Sequence, residues 1–200
     1  MNCYVCCDDE TKDGIIIDPA AFTDSEKEKI LDYIDDNEIS IKYIINTHGH
    51  LDHILGNKWA CEMFQVPLLM HKNDLLLVTN AVQQATMFGI SISQPPPPDK
   101  FIEEDEEIKF GNSTLKIIHT PGHSPGGICL VDEKDKNIIV GDCIFKASIG
   151  RVDLWRGNMD ELLRSIKNKI FKYSDDYLLY PGHFEPTTIR EEKLSNPFLR

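Results

Sequence analysis

The chain has 200 residues, enough for one domain or a domain with a short appendage; at this length about 70 % of the unfolded surface can be buried, so folding requires neither disulfide nor metal. Lys and Arg number 21 against 33 Asp and Glu, a net charge of −12 with no concentration of positive residues, which disfavours a nucleic-acid binder working through phosphate neutralisation. Mean hydropathy is −0.30, apolar runs are short, and the opening MNCYVCCDDE has neither a basic start nor an apolar stretch, so a cytoplasmic chain without membrane span or signal peptide is expected.

A hairpin opens the chain: an extended run over 2–7, a polar turn at Lys12-Asp13-Gly14, the β-rich Ile15-Ile16-Ile17, and a stop at Asp18-Pro19. Ile30, Leu31 and Ile34 recur at helical spacing within a charged helix over 25–36, and a short buried strand follows at 42–46. A second helix is predicted from Asp52 to Phe64, a strand over 67–70, and a helix over much of 73–88. The run Pro95-Pro96-Pro97-Pro98 admits neither helix nor interior strand and reads as a stiff loop within one domain. Short strands are then expected at 107–110, 114–119, 127–131 and 137–140, an amphipathic helix over 159–171, a strand over 177–180 and a helix over 188–194. No internal repeat is evident. Both halves run from strands to helices, which predicts an α/β fold of two helix-covered sheets.

Cys3 and Cys6 form a C-x-x-C spacing, but they lie in an alternating strand-like run with no second pair to complete a zinc site. They read as buried strand cysteines.

The chemistry concentrates in Asn46-Thr47-His48-Gly49-His50-Leu51-Asp52-His53, directly after a predicted strand. By the period of two, His48 and His50 project to one side, while Asp52 and His53 belong to the next turn and converge from another angle. Three more candidate ligands follow predicted strands: His123 in Thr120-Pro121-Gly122-His123, Asp142 in Val140-Gly141-Asp142, and His183 in Tyr180-Pro181-Gly182-His183. A glycine before each lets the backbone turn sharply, and loops after strands are where functional groups collect in α/β folds. Imidazole with carboxylate suits zinc first, and also iron or manganese.

With THGHLDH at 47–53, HTPGHSPGG at 119–127, GDCIF at 141–145, SIGRVD at 148–153 and YPGHFEPTTIREEKLSNPFL at 180–199, the sequence resembles the metallo-β-lactamase superfamily, and within it the short, single-domain glyoxalase II-like branch. The resemblance implies a four-layer αββα sandwich over 1–200, lacking the C-terminal helical domain that supplies much of the glutathione site in larger glyoxalase II enzymes. It implies two divalent metals, one on His48, His50 and His123, the other on Asp52, His53 and His183, with Asp142 bridging; Cys143 faces away. It further implies a hydrolase acting on a small anionic thioester of the hydroxyacylglutathione kind, with Asp52 orienting the attacking water. Arg151 stands where the family usually has a basic residue facing substrate, the competing reading being a surface pair with Asp153; Lys146 is a second candidate. His71 and His119 read as core or supporting histidines, His119 being placed to orient His123. Phe184 stands where the branch usually has Gly. Rival activities are a mono-iron persulfide dioxygenase using His48, His123 and Asp142, and lactone or β-lactam hydrolysis.

Overall fold

The computed structural model describes residues 1–200 and contains two main sheets. In the first, β1 (Tyr4–Cys7), β2 (Asp13–Ile17), β3 (Ser40–Ile45), β4 (Leu68–Met70) and β5 (Lys100–Phe101) lie in sequence order, β1 antiparallel to β2 and the rest parallel. The second contains β6 (Glu107–Phe110), β7 (Ser113–His119), β8 (Ile128–Asp132), β9 (Asn137–Gly141), β12 (Leu178–Pro181) and β13 (Thr187–Thr188), in the order β13-β12-β9-β8-β7-β6. Only β9 and β12 pair in parallel there. A small hairpin of β10 (Ile144–Phe145) and β11 (Ser148–Ile149) stands apart.

Strands buried on both faces need apolar residues at successive positions, which explains the isoleucine runs. Ile15, Ile17, Ile45 and Leu69 of the first sheet face Ile117, Leu130 and Ile139 of the second across the central core. The intervening residues turn outward: Ile16 packs with Ile34 of α1 (Asp24–Asp36), and Ile44 and Leu68 with Ala60 of α3 (Asn57–Phe64). On the far side Ile118, Cys129 and Val140 meet Leu162 of α6 (Met159–Ser165) and Ile189 of α7 (Ile189–Ser195). These layers make the expected αββα sandwich. Cys3 and Cys6 fall on opposite faces of the first strand region, one toward the α1 side and one toward the central core, so they are separate packing residues.

The helix predicted over 52–64 is in fact two, α2 (Leu51–Ile54) and α3. Gly56 lies at the break and packs closely on the end of the first hairpin, where a Cβ would lie 1.9 Å from the Pro19 carbonyl oxygen. Likewise 73–88 divides into a short 3₁₀ turn, α4 (Leu75–Thr79) and α5 (Ala81–Met87), and the predicted 159–171 helix widens after α6 into a π turn at Ile166–Ile170. No helix is long and apolar enough to cross a membrane.

Candidate metal centre

The C-terminal ends of β2, β3, β7, β9 and β12 open toward one edge of the sandwich, where loops leaving parallel strands collect functional groups. Beyond β3 the chain presents buried His48 and His50 before turning into α2, which carries Asp52 and buried His53. The loop after β7 delivers His123, the end of β9 delivers Asp142, and the end of β12 delivers His183. All seven residues singled out in the sequence come together there.

They form two adjoining groups. In the first, His50 Nδ1 lies 2.7 Å and His48 Nε2 3.2 Å from His123 Nε2. In the second, Asp52 Oδ2 is 3.0 Å from His183 Nε2 and 3.8 Å from His53 Nε2. Asp142 stands between, its Oδ2 3.6 Å from both His123 Nε2 and His183 Nε2 and its Oδ1 3.4 Å from His53 Nε2.

Hydrogen bonds behind the cluster assign the imidazole tautomers. Thr47 donates its hydroxyl to Asp18 at 2.6 Å, so it accepts from Nδ1–H of His48 at 3.1 Å. His53 Nδ1–H donates to Asp18 Oδ2 at 2.9 Å and His123 Nδ1–H to the Arg151 carbonyl at 2.7 Å. In each ring Nε2 is left facing the centre, as a ligand nitrogen must. Asp74, wholly buried, ties the loops together by accepting from Gly49 N, Ser124 Oγ and Gly126 N; burial nevertheless raises its pKa. Asp18 and Asp74 were missed in the sequence. The one available signal was Asp18 at a strand end before proline, read there only as a stop.

Electrostatics favour a cation at this place. Burial lowers the pKa of His48 and His123 and pushes His50 down to about 3, so these three rings are neutral and offer lone pairs. Burial would also lower His53, but Asp18 and Asp142 outweigh it and lift that ring to about 10. Asp142 and Asp52, which burial alone would raise, are held below the usual carboxylate range, Asp142 by the His53 ring 3.4 Å away and Asp52 by His183 at 3.0 Å. His53 Nε2 and Asp142 Oδ1, 3.4 Å apart, are buried without a hydrogen-bond partner, a costly arrangement unless a ligand occupies the space between them. Gly182 keeps that space open, since a Cβ there would come within 2.3 Å of Asp142 Oδ1 and 2.6 Å of His53 Cε1. Donor set, unpartnered atoms and room fit divalent metals; they do not select among zinc, iron and manganese.

The centre forms the floor of a cleft of about 910 Å³ with largely apolar walls. Arg151 reaches its rim, but its guanidinium is exposed and grips Asp153 through two bonds of 2.7 Å. Lys146 is outside the lining and pairs with Glu185 at 2.7 Å. His119 does not orient His123. Its ring stacks on His71 at 4.0 Å and meets the Pro125 carbonyl, because strand alternation turns it away from the centre. Cys143 is buried in the outer core of the second sheet, as expected.

A family model described as the metallo-beta-lactamase superfamily matches residues 2–183. The Haemophilus influenzae protein named hydroxyacylglutathione hydrolase GloC is 36 % identical over 201 residues, covering 100 % of this chain and 92 % of its own. The crystal structure of the BLEG-1 B3 metallo-beta-lactamase superposes with a TM-score of 0.89 at 31 % identity, covering 99 % of this chain and 93 % of that one. The structure of TTHA1623 in a di-iron-bound form gives 0.88 at 31 % identity, covering 99 % and 94 %.

Proposed function

The chain belongs to the metallo-beta-lactamase superfamily, and from that premise we propose that it is a two-metal hydrolase of the glyoxalase II-like type, cleaving thioesters. The observation that carries this reading is the pair of unpartnered buried atoms, His53 Nε2 and Asp142 Oδ1, among seven converging donors at the floor of an open cleft. His48, His50 and His123 would hold one metal and Asp52, His53 and His183 the other, with Asp142 shared. When bound, the metals supply Lewis acidity, lowering the pKa of a water from 15.7 to about 7 and drawing charge from an acyl oxygen.

The chain's own groups do the rest. Asp18, Thr47 and the Arg151 carbonyl fix three imidazole tautomers before substrate arrives. Asp52, half-exposed and held ionised beside His183, accepts a hydrogen bond from water entering the cleft and orients it. Water oxygen bonds to the acyl carbon as the C–S bond breaks; one water proton ends on the departing sulfur and the other is released to solvent, giving a carboxylate and a thiol. A thiol with a pKa near about 8.5 leaves without a strong general acid, which suits a floor containing no lysine. The whole-chain likeness to a protein named as a hydroxyacylglutathione hydrolase supports thioester over other acyl substrates. For an anionic carrier, Arg151 would exchange Asp153 for a substrate carboxylate.

The test is elemental analysis of untagged protein with a panel of thioesters, lactones, β-lactams and glutathione persulfide. Two metals per chain, falling to one in His53→Ala or His183→Ala, with thioester turnover, is the expected result. One metal unaffected by those changes, with persulfide driving oxygen uptake and thioesters intact, would overturn it.

A further inference from the structure

The cleft above the centre has walls that the hydrolytic chemistry does not explain. Leu76, Met87 and Phe88, from α4, α5 and the turn after them, form one side; Phe145, Trp155 and Phe184 form the other. All but Phe145 are between 44 and 82 % exposed, although water-facing apolar groups on a protein of −12 charge would ordinarily be scattered. These are gathered around one opening. Arg151 is the one Lys or Arg lining it, and Asp153 already neutralises that guanidinium.

Phe184 makes the pattern specific. Its backbone has φ +67, the left-handed region that a side chain with Cβ occupies at a cost, and its ring is exposed. The ring packs edge-on to Phe145 at 5.7 Å, and both rings lie 6.2 Å from His183. Asn2 holds this conformation by donating its side-chain amide to the Phe184 carbonyl at 2.8 Å. A strained, exposed aromatic beside a candidate ligand is kept where it meets whatever enters the cleft.

We infer that the cleft selects thioesters whose acyl group is apolar, an alkyl or aryl chain lying between the Met87–Phe88 side and the Phe145–Phe184 side, over short hydroxylated acyl groups. This rests on the thioesterase reading above. The acyl carbon must reach the floor, where the Phe145 and Phe184 rings lie 6.2 Å from His183, so the first carbons of the acyl chain come within reach of these rings. A volume of about 910 Å³ accommodates it with the start of the thiol carrier.

The experiment compares acetyl, lactoyl, butyryl, hexanoyl and phenylacetyl thioesters of one small neutral thiol on metal-loaded protein. In parallel, the non-hydrolysable alkyl thioethers are titrated against Trp155 emission, with Trp155→Phe identifying the signal. We expect kcat/KM and thioether affinity to rise with chain length, approaching about fourfold per methylene where burial is complete, with lactoyl near acetyl. Phe184→Gly and Phe88→Ser should flatten both series. Thioester turnover that is flat or falls with chain length would overturn this inference and leave the hydrolase reading standing. Length-dependent thioether binding without turnover of any thioester would do the reverse. If both series are flat and sedimentation shows a dimer broken by Phe88→Ser, the apolar rim belongs to a second copy of the chain and the inference fails.

Discussion

Asp18 and His53, 35 residues apart, meet in a hydrogen bond of 2.9 Å that no solvent reaches. The same carboxylate accepts from the amide and hydroxyl of Thr47, so its two oxygens are fully used orienting neighbours and it acts behind the ligand set. Its backbone takes φ +50 to do so.

Replacing Asp18 by Asn keeps the shape but puts an amide where His53 needs an acceptor. Metal affinity of the group formed by Asp52, His53 and His183 should fall by about 10–100-fold, the usual effect of losing a partner that orients a ligating imidazole. Competition against a graded series of chelators measures this. Affinity equal to the parent protein's would show that Asp18 only braces the loop.

Asp52 offers a contrast, since its side chain is half-exposed. Asp52→Ala should lower kcat by about two powers of ten or more, because the attacking water loses the carboxylate that orients it. The thermal midpoint should move by no more than about 2 °C, because exposed substitutions change stability by about 0.5 kcal/mol or less. Turnover per folded molecule that matches the parent, with a large fall in midpoint, would contradict its assignment.

The sequence discloses the candidate ligands because each obeys a local rule: a strand, a glycine, a donor. His48 and His50 follow from the period of two, and His123, Asp142 and His183 from their Gly-preceded settings. The layering was equally legible, since isoleucine runs such as Ile15-Ile16-Ile17 require cover on both faces. What escapes is whatever depends on a distant contact. Position 56 needs a glycine because the Pro19 carbonyl, 37 residues away, is pressed against it. Asp74 looks like an ordinary helix-start residue until Gly49, Ser124 and Gly126 are seen donating to it. The two-residue strands β5, β10, β11 and β13 are too short to carry any period.

The stacked His71 and His119 rings predict an acid sensitivity outside the metal centre. Burial, with the nearby His119, pushes His71 down to about 4, and its Nδ1 serves as acceptor for the Asn73 amide. An unfolded histidine titrates near about 6.5, so between those values the unfolded chain binds the extra proton and the folded one does not. This contribution to stability is complete above about 6.5 and is lost as pH falls toward 4. The urea midpoint should therefore decline over that window more steeply in the parent than in His71→Phe. Parallel curves for the two proteins would refute the assignment.

Gly182 provides a steric test of the same centre that leaves every candidate ligand in place. An added Cβ would approach Asp142 Oδ1 to 2.3 Å and His53 Cε1 to 2.6 Å, neither of which is the free end of a flexible chain. One of them must move, and His53 is held by its bond to Asp18, so Gly182→Ala should displace Asp142 from the position it shares between the two groups. The expected outcome is loss of one of two metals per chain and a fall in turnover, read by elemental analysis beside kinetics. Gly89→Ala is the control: that residue also sits in a turn, at φ +71, with nothing within 4 Å of the new Cβ. It should lower stability by about 1 kcal/mol through backbone strain alone and leave metal content unchanged. Full occupancy and parent-like turnover in Gly182→Ala would mean that His53 and Asp142 do not converge on a common ion.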